Sequence, residues 1–180
     1  MKHLALAAVG GLLLTSLTGG CSGSSSSSTS PSTTGAGTTN VRFTAALSPA
    51  QETPPITNAE STGSGTATID FVVTRDASNT ITNAVVNFQV TMQNLPSTAV
   101  VNIAHIHTGA AGVAGGILVN TTTVPGEVVL TGGAGTFTRN NISMTAAVAQ
   151  SIIDNPAGFY FNVHTTLNPG GVMRGQLVKQ

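Results

Sequence analysis

Polar and apolar residues alternate along most of this chain with a period of two, the spacing of a half-buried β-strand. Gly63 to Thr74 is the clearest case. Ala67, Ile69, Phe71 and Val73 fall on one face, and Thr66, Thr68 and Asp70 on the other. Ile81 to Gln93 repeats the pattern, with Val86, Phe88, Val90 and Met92 inward. Further strands are predicted at Val41–Leu47, Val101–Thr108, 116–120, 127–130, 135–138, 158–165 and 172–178. Arg75 to Asn79 and Asn168 to Gly171 read as turns, and the prolines of Ser48 to Pro55 exclude that stretch from a ladder. Only Ser143 to Asp154 has helical spacing, through Val148, Ala149, Ile152 and Ile153, and Asn155-Pro156 ends it. Short strands at this spacing predict an all-β, Greek-key-like antiparallel sandwich with one short covering helix.

The first 40 residues lack this pattern. Lys2 and His3 precede an apolar run, Leu4 to Leu14, that is too short for the roughly 20 residues of a bilayer span. Residues 1–20 therefore read as a secretion signal. Cys21 is the only cysteine. Leu17-Thr18-Gly19-Gly20-Cys21 resembles a bacterial lipobox, with leucine one step further from the cysteine than usual. The resemblance implies that Cys21 is lipidated and becomes the mature N-terminus. Residues 22–40 are almost all Ser, Thr and Gly, a composition that cannot offset its own ordering entropy. They read as a spacer between a lipid anchor and a domain spanning 41–180.

Only 7% of residues are charged, against roughly 25% in ordinary globular chains. Formal net charge is zero, which removes the electrostatic case for a nucleic-acid partner. With no cysteine past Cys21, apolar packing alone must hold the fold.

Past the leader the chain has three histidines. His105 and His107 are two apart, so they share one face of a strand. His164 lies on another strand, with Tyr160 and Asn162 on its face. Neutral imidazole suits copper and zinc, and three such rings from adjacent strands would leave an open coordination position. Hydrogen bonds to neighbouring strands and loops would equally account for them. Because charges are scarce, Glu52 and Arg174 are expected to form a structural ion pair that pins the proline loop to the last strand; the alternative is that both are solvated. Serines lack the strand–Gly-x-Ser-x-Gly–helix setting of a nucleophile elbow. The glycines of 109–116 lack a phosphate-loop lysine, and the acidic residues are dispersed. No catalytic constellation is therefore assigned.

Four blocks in order are similar to the CHRD domain, named for repeats in chordin. They are Ala46–Pro55, His105-Ile106-His107-Thr108-Gly109, Tyr160–Thr165 and Arg174-Gly175-Gln176-Leu177. The resemblance covers about residues 41 to 180. It implies an exported β-sandwich module with a binding or structural role, here lipid-anchored at a bacterial cell envelope. The His-x-His strand with a later histidine also resembles the copper site of superoxide dismutases, another β-sandwich group. No counterpart of their zinc loop or cysteine pair is present. Three readings follow: a non-enzymatic binding or structural module, a copper- or zinc-binding protein, and a dismutase-like oxidoreductase.

Overall fold

The computed structural model describes residues 36–180. The predicted signal segment, Cys21 and most of the spacer lie outside the described residues.

Among the described residues, nine strands form two antiparallel sheets. They are β1 (Gly37–Leu47), β2 (Ser64–Arg75), β3 (Ile81–Gln93), β4 (Val101–Thr108), β5 (Ile117–Asn120), β6 (Gly135–Met144), β7 (Phe159–Thr165), β8 (Met173–Gln176) and β9 (Val178–Lys179). One sheet has the order β6-β3-β2-β1-β9, the other β5-β4-β7-β8. The chain crosses between sheets after β3, β5, β6 and β8, so this is not a simple meander. The all-β sandwich predicted from alternation is the observed fold.

The inward residues predicted for β2 and β3 are all buried. They meet a matching face of the second sheet, formed by Ala104, Ile106, Phe161, Val163 and Met173. Phe88 and Phe161 pack across the interface at 5.7 Å, and Phe43 packs on Phe71 at 5.0 Å. Each such side chain contributes about 1.5–3 kcal/mol by leaving water. With no disulfide available, these contacts carry the fold.

β8 also docks on β1. Ser48 and Arg174 form an antiparallel bridge, and a Cβ on Gly175 would lie 2.2 Å from the Ala46 carbonyl oxygen. Only glycine permits that approach. It clamps the start of the proline loop against the last strands, next to the histidine face.

Four local expectations are corrected. β1 begins at Gly37, inside the predicted spacer, because β2 offers those residues a full ladder from Gly37↔Arg75 onward. Residues 127–130 are not a strand. Glu127 instead closes a turn onto Val124 and pairs with Arg139. β6 runs on to Met144, since Ser143 and Met144 pair with β3. The helix α1 (Ala146–Asp154) therefore starts later than predicted, with Thr145 as its cap accepting from the Val148 amide. α1 buries Ala149 and Ile152, and its Gln150 accepts a hydrogen bond from Arg75 at the end of β2. It covers the end of the sandwich at the β2–β3 turn, as a lone helix was expected to do. On β8, Arg174 points away from the core, yet it is 2% exposed because loops cover that face.

Candidate metal centre

β4, β7 and β8 lie side by side, and their register builds the site. His105 faces Asn162 across β4–β7, and Asn162 faces Arg174 across β7–β8. In the next row His107 faces Tyr160, which faces Gln176. His164 sits opposite Ile103, diagonal to His105. Opposed Cβ atoms in such pairs are about 4.5–5.5 Å apart. The alternation that sends Ala104, Ile106, Phe161 and Val163 into the core therefore gathers three imidazoles on the opposite face.

That face is not open to water. Three loops fold over it. The Gly109–Gly116 loop brings the Gly115 carbonyl to His107 Nδ1 at 2.9 Å and the Gly115 amide to the Tyr160 hydroxyl at 3.3 Å. The turn after β7 brings the Pro169 carbonyl to His164 Nδ1 at 2.9 Å. The proline loop brings the Gln51 carbonyl to Arg174 Nε at 2.7 Å. His105, His107, His164 and Asn162 are all buried beneath them.

The ring nitrogens of the three histidines include one from each that all lie within 4.8 Å of one another. Ring centroids of His105 are 4.4 Å from His107 and 4.5 Å from His164. A carbonyl can only accept, so His107 and His164 must carry their protons on Nδ1. That leaves each Nε2 with a lone pair, and both Nε2 atoms are buried without a partner. Neither nitrogen of His105 has a partner either. A carbonyl on one nitrogen with the other left free is how proteins orient metal-binding histidines. Nitrogens bound to one zinc at about 2.0–2.1 Å would stand roughly 3.5 Å apart, inside the 4.8 Å within which these nitrogens already lie.

Electrostatics favours the ligand form. Burial, helped by His164 and His107, pushes His105 down to about 3. Burial also lowers His107 and His164, partly opposed by their hydrogen bonds to Gly115 and Pro169. All three rings are therefore neutral at physiological pH, the state that binds a metal.

Tyr160 stacks on His107 with centroids 4.9 Å apart and planes 2° from parallel. The Arg174 guanidinium lies over the Tyr160 ring at 4.3 Å. Tyr160 thus braces His107.

The expected Glu52–Arg174 ion pair is not formed. Arg174 instead spends Nε on Gln51 and Nη1 on the Val113 carbonyl at 3.1 Å. It still fastens the proline loop to β8, through backbone carbonyls rather than a carboxylate. Glu52 is 8% exposed. Burial raises its carboxyl to about 7, with the nearby Arg174 charge pulling the other way.

Sequence reasoning missed Glu60, which is 1% exposed. Its carboxylate accepts from Thr165 Oγ1 at 2.6 Å and from the Asn168 side-chain amide. This network anchors the turn that presents the Pro169 carbonyl to His164. The same scarcity of charge that singled out Glu52 was the available signal. The carbonyls of Gly115 and Pro169 carried none, since any residue has one.

Among the described residues, seven buried side-chain atoms lack a hydrogen-bond partner, and they all belong to this neighbourhood. Native structures leave few such atoms, and each invites a reason. Searches of curated proteins and of solved structures gave no match. The family model for the CHRD domain matches residues 43–177, which take in both histidine strands, the proline loop and the closing strand. The chain belongs to the CHRD domain family.

Proposed function

We propose that this CHRD module is an exported, membrane-tethered binding protein that holds one copper or zinc ion between His105, His107 and His164. One observation carries the reading. Three buried neutral imidazoles converge from two strands, with two of them oriented by backbone carbonyls and their remaining nitrogens unpartnered. Leaving such nitrogens dry costs free energy that an ion would recover. An all-nitrogen donor set suits copper or zinc rather than calcium or magnesium, which take oxygen ligands. The lipobox-like Leu17–Cys21 segment and the Ser/Thr/Gly stretch behind it support attachment to the cell envelope.

The test is metal content of the protein purified without a histidine tag, after incubation with copper or zinc and removal of excess. One ion per chain is expected, with none in the folded His105→Ala, His107→Ala double variant. Absence of stoichiometric metal, or metal retained by the double variant, overturns the reading. Superoxide turnover by the loaded protein would extend it to an oxidoreductase; a loaded protein without turnover is a metal carrier or a metal-stabilised module.

A further inference from the structure

The three imidazoles hold four of the seven unpartnered atoms, of which one ion would engage three. The others are Glu52 Oε1, Asn162 Oδ1 and Arg174 Nη2, and the metal reading gives them nothing to do. All three residues are more than nine-tenths buried. Asn162 and Arg174 are register partners on β7 and β8. Glu52 reaches the same spot from the proline loop: a Cβ built on Gly171 would lie 2.8 Å from Glu52 Oε1 and 2.5 Å from Asn162 Nδ2. Any residue but glycine there would fill the space where these two side chains converge.

We propose that Glu52, Asn162 and Arg174 form a second binding site, for a small oxyanion that retains a hydroxyl, of the bicarbonate class. It goes beyond the metal reading and does not rest on it. Arg174 is held on three sides, by Gln51, Val113 and the Tyr160 ring. Its fourth side, Nη2, is a fixed donor with an uncancelled charge, which selects an anionic oxygen. Asn162 Oδ1 is an acceptor, and so is Glu52 Oε1 whenever its carboxyl is ionised, so a ligand that also donates fits them, and a hydroxyl does so. A cleft of about 250 Å³ between residues 50–53 and 111–112, with Arg174 in its wall, leads in from solvent. Its volume admits a small ion; Glu52 and Arg174 both line it, with their unpartnered oxygen and nitrogen set just behind its surface.

The test is a chemical-shift titration of the ¹⁵N-labelled full chain, stripped of metal by chelator, with bicarbonate, then formate, then chloride. The Asn162 side-chain amide is expected to shift saturably with bicarbonate. Formate lacks the hydroxyl and should bind about 10–100-fold more weakly. Glu52→Leu and Arg174→Lys should each weaken bicarbonate binding by about the same factor. If Arg174→Lys does not fold, Glu52→Leu decides alone. Shifts that do not saturate, that chloride reproduces, or that persist unchanged in a folded variant mean an adventitious ion only and overturn the proposal. Metal content is read separately on untreated protein, so either reading can fail without the other.

Discussion

The two sheets obey the same alternation, yet their outer faces meet different fates. On the five-stranded sheet, Thr66, Gln89, Thr91 and Gln93 stand in water, and Arg42 grips Asp70 with two bonds of 2.6 and 2.8 Å at the surface. On the four-stranded sheet, six of the seven residues of β7 are buried, whichever way they point. The first face is an ordinary solvated surface. The second is roofed by three loops, and there polar side chains are withdrawn from water without full compensation. A protein has no stability reason to do that. The uncompensated atoms are the ground on which both binding proposals stand.

The sharpest way to break this comparison is to remove the histidine that comes from the other strand. His164→Ala should lower copper or zinc affinity by more than the roughly 10–100-fold typical of a residue that only orients a ligand. Competition against a chelator measures it. Undiminished affinity would separate His164 from the other two rings.

Phe161→Ala, one residue before Asn162 on the same strand, should cost about 3–5 kcal/mol in urea unfolding. Phe161 is fully buried against Phe88, so the loss is expected with or without metal. It separates the packing face of β7 from its binding face.

Glu52→Gln tests the roof. The folded carboxyl titrates near 7 rather than its ordinary 4.5. The native state therefore holds a proton that the unfolded chain has lost between these values, and stability falls as pH rises across that window. In metal-free protein the variant should match the parent near pH 4.5 and exceed it above about pH 7. Urea midpoints at the two ends of the window check this; a parallel offset at both would mean that Glu52 is not buried as an acid.

The smallest effect is expected on the open sheet. Arg42→Ala should leave the thermal midpoint unchanged within error, because an exposed ion pair competes with water and salt. A clear loss would show that the solvated face is less ordinary than its exposure suggests.

Much of this was legible in the residues alone. Period-two spacing located β2, β3, β4 and β7 and assigned the inward residues of β2 and β3, because a pleated strand exposes opposite faces at alternate positions whatever surrounds it; both faces of β4 are mixed, so its pattern alone did not say which one packs. The His-x-His spacing put two rings on one face for the same reason. The helix start and the 127–130 segment were misjudged because ladder partners, not local preference, decided them. β3 held Ser143 and Met144 in strand, while Glu127 is drawn into a turn with Val124 and an ion pair with Arg139.

By itself, then, the sequence determined an all-β body and the side of β2 and β3 that packs, since both follow from local stereochemistry and the hydrophobic effect. It also determined which residues have metal-binding chemistry. Only the tertiary structure decided that His164 joins His105 and His107, because that depends on register between strands more than fifty residues apart. It also decided that loops bury Arg174 and withhold Glu52 from it. Burial by a loop depends on where its backbone carbonyls land, and carbonyls are the part of the chain that every sequence shares.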